Sequence, residues 1–319
     1  MSRSVKKWLI IAASLVILGC VVFASAMTVA GWDFASLSTV YYVKSEYQIT
    51  EAYKNISINT NIADVKLVPS DKNAVECYEQ NNIKYSVKVV EDTLAIQVID
   101  TRRWYEYLDF GIDSSKITVF IPAGEYGKLW VKNDTGDVTV PSEFSFENIE
   151  ISGNTGDVEC YASASGDVKI RLDTGDIKVK NITAHSLVAN VTTGEVKATD
   201  VTCKSFKSKG ETGEIKLENV KADEVLEIER DTGDVVLNGC ESARISIETD
   251  TGDVGLNGCD GDEIYIETDT GVVNGTLRSD KIFNVSTDTG NKNVPDSVDG
   301  GGKCVIKTDT GDITIRIEK

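Results

Sequence analysis

Asp-Thr-Gly is the tripeptide that carries the catalytic carboxylate of aspartic proteases, and this sequence contains it seven times. The aspartates of these copies are Asp134, Asp173, Asp231, Asp250, Asp269, Asp288 and Asp309. Protease chemistry requires two carboxylates about 3 Å apart on facing lobes, because the two must share one proton. A regular series does not supply one such pair, and related copies replace the aspartate with Asn154, Thr192 or Glu211. The sequence therefore argues against an aspartic protease.

The same aspartates suggest a different chemistry, the binding of cations. Aspartates stand on both sides of the glycine, as in Asp231 with Asp234 and Asp250 with Asp253, and Asp269 continues the row. Stacked strands would repeat these carboxylates every ~4.8 Å, and Ca²⁺ takes about six to eight oxygen ligands of this kind. The glycine-rich nonapeptide of calcium β-rolls is absent from the sequence. We therefore expect weak Ca²⁺ association along this row and no dedicated cofactor.

Histidine occurs once, at His185. A Ser-His-Asp triad, a Cys-His dyad or a multi-histidine metal site would depend on this one residue. The sequence also contains no Cys-x-x-Cys motif. We expect His185 to be a solvated turn residue and the protein not to be an enzyme.

A second candidate surface is the stretch TRRWYEYLDFG at residues 101–111. Aromatic rings beside guanidinium groups are able to stack on a glycan or to bind a protein partner. The alternative is that the segment folds over the core of the neighbouring strands. The candidate binding residues are Arg102, Arg103, Trp104, Tyr105 and Tyr107.

The composition limits the class of partner. The 319 residues contain 33 Lys and Arg against 51 Asp and Glu, which gives a formal net charge of −18. Such a surface repels phosphate polyanions, so we expect no nucleic-acid partner. It suits an extracytoplasmic protein or one that collects cations.

The N-terminal residues predict a membrane anchor. Arg3, Lys6 and Lys7 precede an uncharged stretch over residues 9–30, which is long enough to cross a hydrocarbon core of roughly 30 Å as a helix. The charges predict a cytoplasmic tail at 1–8, a transmembrane helix at 9–30, a linker at 31–44 and an extracellular remainder. Two alternatives stay open: cleavage after ASA at residues 24–26, and lipidation at Cys20.

An internal repeat dominates the rest of the chain. A glycine that follows threonine recurs at steps of 19 to 21 residues from Gly136 to Gly311. Between glycines, apolar residues alternate with polar ones over two short runs, and a polar turn such as VKN, ATD or LNG separates the runs. Period-2 alternation predicts half-buried strands, and the absence of helical patterns makes consecutive repeats stack in parallel. The predicted turn residues are Gly175, Gly194, Gly213, Gly233, Gly252 and Gly271.

We therefore predict an all-β fold, a parallel two-sheeted β-solenoid of ~19-residue coils behind an N-terminal transmembrane helix. Residues 126–319 form its regular part, and residues 45–125 form degenerate first coils and a hairpin that turns at Glu91 and Asp92 and caps the membrane-proximal end. The distal end has no evident cap, so we expect the last repeat to form the open edge. Its alternating Arg316, Glu318 and Lys319 would discourage edge-to-edge pairing.

Cys240 and Cys259 stand at the same position of neighbouring repeats. They continue an apolar ladder, so both fit the role of small buried hydrophobic residues. A disulfide between them is the alternative, although in-register side chains lie farther apart than a disulfide favours.

The sequence resembles a bacterial family of membrane-anchored β-strand-repeat proteins, LiaG-like and of unknown function, which is catalogued under the adhesins. The matching stretches are NTNIADVKLVPS at 59–70, KITVFIPAG at 116–124, and TGDV at 135–138, 155–158, 232–235 and 251–254. The resemblance covers roughly residues 45–319. It implies a β-solenoid at the cell envelope of a bacterium, and it brings no catalytic residues.

These observations favour a non-enzymatic, envelope-anchored extracellular solenoid that acts in surface adhesion or in sensing envelope stress. Its partners would be the membrane, through the N-terminal helix, and envelope proteins or wall glycans. Two alternatives stay open: a Ca²⁺-assisted β-helix that binds or cleaves wall glycans, and a scaffold that regulates a membrane sensor.

Overall fold

The structure is a computed structural model that describes residues 3–29, 31–32, 42–80, 82–103 and 115–318. Within these residues a single helix, α1, spans Arg3–Val29. Its segment Val5–Val29 has a mean hydropathy of 2.7, and the side chains from residue 5 to residue 26 are exposed. The hydroxyls of Ser14, Ser25 and Thr28 donate to the carbonyl oxygens four residues earlier, so they have partners inside the helix.

Helix α1 has the length and composition of a membrane span. Its 27 residues extend for about 40 Å at 1.5 Å per residue, which exceeds a hydrocarbon core of roughly 30 Å. This confirms the predicted apolar N-terminal helix. The helix begins before residue 9, because the basic residues ahead of the apolar run are helical as well.

The remaining described residues form a β-solenoid of about ten turns. Its first strands are β1 (Val43–Gln48), β2 (Asn55–Ile62), β3 (Asp64–Pro69), β4 (Ala74–Glu79), β5 (Ile83–Val90), β6 (Thr93–Asp100) and β7 (Lys116–Ile121). The next strands are β8 (Gly124–Thr135), β9 (Val138–Val140), β10 (Phe144–Thr155), β11 (Val158–Cys160), β12 (Ser163–Ala164), β13 (Asp167–Thr174), β14 (Ile177–Thr183), β15 (Ser186–Thr193) and β16 (Val196–Thr212). The last are β17 (Ile215–Thr232), β18 (Val235–Asn238), β19 (Glu241–Thr251), β20 (Val254–Thr270), β21 (Val273–Leu277), β22 (Lys281–Thr289), β23 (Lys292–Asn293), β24 (Gly302–Thr310) and β25 (Ile313–Ile317).

Each regular coil contains two strand segments. We call the segment that starts two residues after a corner glycine the A strand, as in β14, and the segment that ends at the threonine before the next glycine the B strand, as in β15. In three coils, β16, β17 and β20, the two segments are one continuous strand. The A strands form one parallel ladder and the B strands form the other, which confirms the predicted solenoid.

The alternating apolar residues are stacked in register inside the coils. On the A side, Ile177 pairs with Val196 and Val196 with Ile215. On the B side, Phe206 pairs with Leu226 and Leu226 in turn with Ile245. All of these side chains have zero relative exposure and belong to one continuous core. Burial of whole ladders of this kind supplies the main driving force for stacking the coils.

The polar turns of the sequence pattern bend the A side of each coil. Asn181, Asp200 and Asn219 have φ values of 55°, 53° and 53°, and Gly239 and Gly258 take φ values of 63° and 58° at the same place in the next coils. Asn, Asp and Gly are the residues that tolerate this left-handed conformation. The third residue of VKN, ATD, LEN and LNG therefore turns the chain from the A strand toward the B strand.

The first coil in chain order is not the outermost one at the proximal end. Strand β2 lies between β6 and β8, and β3 lies between β7 and β9, with all four pairings parallel. Antiparallel pairings complete this end: β5 pairs with β6 across a turn at Glu91 and Asp92, and β4 pairs with both β7 and β1. The buried carboxylate of Glu79 accepts hydrogen bonds from Ser45 Oγ, Tyr47 Oη and the Tyr85 N–H at 2.6, 2.8 and 2.8 Å, so it joins β1 to β5.

The distal end has a similar arrangement, and here the sequence-based expectation was wrong. The last repeat does not form the whole open edge, because β24 lies between β20 and β22, and Ile313 and Thr314 of β25 lie between β21 and β23. The outer coil is β22–β23. The step from Gly290 to Gly311 is 21 residues long and includes Gly300, Gly301 and Gly302. This extra length lets the chain pass back from the outer coil and place β24 between β20 and β22. Arg316 and Glu318 lie beyond the two residues that β23 covers, where β25 pairs with β21.

Candidate functional site

The corner before each A strand is built from closely stacked glycines. Gly194, Gly213 and Gly233 have φ values of 145°, 135° and 146°. A Cβ on any of them would lie 2.0–2.1 Å from the carbonyl oxygen of the corner glycine in the preceding coil. The same close approach occurs at Gly175, Gly252 and Gly271, with distances of 2.1, 2.1 and 1.9 Å. The corner therefore admits no side chain and brings successive backbones into direct contact.

Where an aspartate follows the corner glycine, its carboxylate bonds to the next coil. Asp157 Oδ1 accepts the N–H of Asp176 at 2.8 Å, and Asp176 Oδ1 accepts the N–H of Glu195 at 2.8 Å. Asp234 and Asp253, two of the predicted calcium ligands, accept the N–H groups of Asp253 and Val272 at 2.9 and 2.8 Å in the same way. These carboxylates satisfy backbone donors that the sharp corner leaves without a carbonyl partner.

The aspartate before the threonine has a different environment. Asp231, Asp250 and Asp269 are exposed, one per coil, at the end of the B strand. They form a row of carboxylates about one strand spacing apart. Among the described residues no group of three or more His, Cys, Asp or Glu side chains is arranged to hold a metal ion. Calcium association along this row stays a prediction.

The other residues singled out in the sequence lie apart from this row. His185 is exposed, and its backbone N–H donates to the Gly166 carbonyl at 2.8 Å while its carbonyl accepts the Lys204 N–H at 3.0 Å. Arg102 Nη2 donates to Asp100 Oδ2 at 2.6 Å in a largely buried ion pair. Arg103 is exposed. Trp104, Tyr105 and Tyr107 lie outside the described residues, so the aromatic patch stays a prediction.

Cys240 and Cys259 are fully buried and are free thiols. Cys259 Sγ donates to the Leu237 carbonyl at 3.4 Å, and Cys240 Sγ donates to the Leu217 carbonyl at 3.6 Å. Of the two roles left open for the pair, the structure shows that of small buried residues in the core ladder.

A polar groove of about 480 Å³ opens at the second corner, where the A side passes into the B side. We call it the corner groove and define it by residues 221–223, 241–243, 260–262 and 278–279. Lys221, Glu241 and Asp260 stand in register on three successive coils, and Ala222, Ser242 and Gly261 stand beside them. The small side chains leave the space, and the charged ones form its rim.

Ion pairs hold the charged rim of the corner groove. Glu241 contacts Arg278 Nη1 at 2.7 Å and Lys221 Nζ at 3.4 Å. Asp260 Oδ1 accepts from Lys281 Nζ at 2.8 Å and from the Ser279 hydroxyl at 2.6 Å. Burial alone would raise the pKa of Asp260, but these two hydrogen bonds outweigh it and hold the pKa below its usual value. Lys281 is 2% exposed and is thus a buried cation that depends on this carboxylate.

Comparison with known proteins decides the family. A profile of the Toastrack DUF4097 family matches residues 53–164 and 161–317, which together include every coil of the solenoid. The chain belongs to the Toastrack DUF4097 family. A comparison with curated proteins finds no match.

Several solved structures are similar to this Toastrack chain. A candidate adhesin from Bacteroides fragilis is 15% identical, with a TM-score of 0.41, over 86% of this chain and 97% of the other. A candidate lipid-binding protein from Parabacteroides distasonis is 16% identical, with a TM-score of 0.43, over 88% and 98%. A candidate cell adhesion protein from Clostridium sporogenes is 11% identical, with a TM-score of 0.20, over 87% and 100%.

Sequence reasoning missed the corner groove. The sequence signal for the groove is the position eight residues after the corner glycine. Earlier coils have Thr183 and Thr202 at this position, and the next three coils have Lys221, Glu241 and Asp260. A change from hydroxyl to charged side chains in three successive repeats is a visible signal. Its meaning depends on the register between coils, which places the three side chains side by side.

Proposed function

We propose that this protein is a non-enzymatic surface solenoid that α1 holds in the membrane and that binds envelope proteins or wall glycans outside it. The observation that carries the proposal is the in-register stacking of the regular coils. On the B face it places Glu229, Glu248 and Glu267 in one outward row. A rigid surface with repeated side chains suits an extended partner, because each coil offers the same contact again.

The charge distribution supports an extracellular position for the solenoid. Arg3, Lys6 and Lys7 precede the apolar part of α1, and positive residues favour the cytoplasmic side of a span. The net charge of −18 favours a soluble and well-hydrated domain on the other side.

The environment of the polar residues supports a binding role over catalysis. The sole histidine, His185, is exposed and makes backbone hydrogen bonds at a turn. The aspartates that follow the corner glycines accept backbone N–H groups of the next coil, so they serve the fold. In the ranges that the structure describes, we find no nucleophile paired with a base and an orienting group.

The test uses intact bacterial cells that produce the full chain. Protease added to the medium should remove the solenoid from these cells, because the proposal places it outside. Cells with the chain should bind immobilised wall material, or crosslink to envelope proteins, more than cells without it. A matched variant with residues 1–32 replaced by an unrelated span should behave alike. Protection from external protease, or equal binding by cells that lack the chain, would contradict the proposal. Binding lost in the span variant would favour a regulatory scaffold.

A further inference from the structure

The corner groove contains a buried serine hydroxyl without a partner. Ser242 is 8% exposed, and its Oγ makes no hydrogen bond to any described residue. A buried hydroxyl that lacks a partner is uncommon in folded proteins and destabilises the fold unless another molecule satisfies it. Ser242 lies in the lining of the groove, between Ala222 and Gly261 of the neighbouring coils. To bond a molecule in the groove, the hydroxyl has to turn about its single χ1 bond toward the groove.

The rim offers carboxylates that the protein itself does not use. The exposed side chains of Asp223 and Asp262 belong to the groove lining and make no ion pair within the described residues. Glu241 and Asp260, by contrast, are held by their cations. Two carboxylates are therefore ready to accept hydrogen bonds, and the groups around them are already ordered, which lowers the entropy cost of binding.

The signs of the charges select the class of ligand. Asp223, Glu241, Asp260 and Asp262 outnumber the rim cations Lys221 and Arg278 together with the buried Lys281, so the groove disfavours phosphates and other anions. The two cations in turn disfavour a basic peptide. The groove lining contains no aromatic or large aliphatic side chain, which argues against an apolar ligand. A ligand with many neutral hydroxyls matches this mixture, because each hydroxyl both donates to a carboxylate and accepts from an ammonium or guanidinium group.

We propose that the corner groove binds a neutral saccharide, with Asp223, Asp262 and Ser242 as hydrogen-bonding partners of its hydroxyls. The volume of about 480 Å³ falls in the range of small-molecule sites, and the open shape admits a segment of a longer chain. The inference deepens the proposed function, on which it rests, by naming one ligand class and one site.

The experiment measures binding to the full chain, purified in a detergent without a sugar head group that would compete. The probes are neutral oligosaccharides of glucose, mannose, galactose and N-acetylglucosamine, an acidic oligogalacturonate, and an oligolysine peptide. Isothermal titration calorimetry and saturation-transfer NMR should detect at least one neutral oligosaccharide. Asp223→Ala and Asp262→Ala should each weaken its binding about tenfold, because each removes a hydrogen bond to a charged group. The controls Asp231→Ala and Asp250→Ala make the same charge change at the other corner and should leave binding unchanged.

Ser242→Ala separates a binding role from a structural one. The variant should unfold at the same temperature or higher, because it removes an unsatisfied buried hydroxyl, and should bind the saccharide several-fold more weakly. Binding of oligolysine with no neutral saccharide, or saccharide binding equal in the wild type and the Asp223→Ala and Asp262→Ala variants, would overturn the inference. Cell adhesion that persists in a folded Asp223→Ala, Asp262→Ala double variant would also overturn it while leaving the proposed function intact.

Discussion

Gly213→Ala is the substitution that tests how the coils are held together. The φ of Gly213 is 135°, and an added Cβ would lie 2.0 Å from the carbonyl oxygen of Gly194 and 2.6 Å from its carbonyl carbon. Non-bonded carbon atoms prefer a separation of about 3.5–4.0 Å. Neither neighbour is a flexible side chain, so the corner has to open by more than about 1 Å to accept the methyl group.

The cost follows from the groups that would move. A side chain in this region of φ costs about 1–3 kcal/mol in backbone strain. Opening the corner also stretches two backbone hydrogen bonds, each 2.9 Å long. The Gly194 N–H donates to the Thr212 carbonyl, and the Gly213 N–H donates to the Thr232 carbonyl. Each of these two hydrogen bonds contributes about 1 kcal/mol to stability. The loss is no larger, because water reaches this half-buried corner and bonds to the freed groups. We expect Gly213→Ala to lower the free energy of unfolding by about 3–5 kcal/mol.

Thermal unfolding by circular dichroism and hydrogen exchange of the corner amides measure this effect. Gly255→Ala is the matched control, because Gly255 lies in a strand and the nearest atom to an added Cβ is Asn274 Oδ1 at 4.0 Å. The control should match the wild type or gain up to about 1 kcal/mol through reduced freedom of the unfolded chain. Equal melting temperatures for Gly213→Ala and Gly255→Ala would refute the view that direct glycine contact holds the corner.

Three further predictions concern buried polar groups and thiols. Burial raises the pKa of Glu79, but its hydrogen bonds outweigh this and lower the pKa overall, so its stabilising effect is present at neutral pH and is lost as the pH falls through the lowered value. Glu79→Gln should therefore increase hydrogen exchange in β1 at pH 7 and reduce the pH dependence of that exchange in acid. Asp260→Asn should lower the free energy of unfolding, measured by chemical denaturation, by about 2 kcal/mol, because it leaves Lys281 buried without its partner. The loss is smaller than for a fully buried pair, because Asp260 itself is 34% exposed. Asp262→Asn is the control. A thiol-specific disulfide reagent at pH 8 should modify none of the buried cysteines in the folded protein and all of them in denaturant, since burial raises the pKa of three of them to about 12, namely Cys77, Cys203 and Cys304.

The regular coils were predictable because every repeat carries the same local information. Alternation sets which side chains enter the core, and the corner glycines set where the B strand ends. The third residue of each polar turn adds a left-handed position that Asn, Asp or Gly accepts. Since each coil contacts its two neighbours, local pattern and global fold agree throughout this region.

The order of the end coils was not predictable in the same way. Strand β24 pairs with β20 and β22, and nothing within residues 302–310 distinguishes it from a strand at an open edge. The choice depends on competition among ladders that are far apart in sequence. The corner groove has the same difficulty, because Glu241 meets Arg278 and Lys221 through stacking and not through sequence proximity.

The arrangement of the two ends bears on how the solenoid resists opening. The first coil in chain order, β2–β3, has a neighbouring coil on each side, and so does the last coil over β24 and the first two residues of β25. Loss of either therefore requires the outer coil to separate as well, so the hydrogen bonds of two ladders break together. Terminal repeats of a solenoid are normally the first to unfold, because each has one interface where the others have two. Interleaving gives the coils at the two ends of the described solenoid a second interface, so they should open less readily than ordinary terminal repeats.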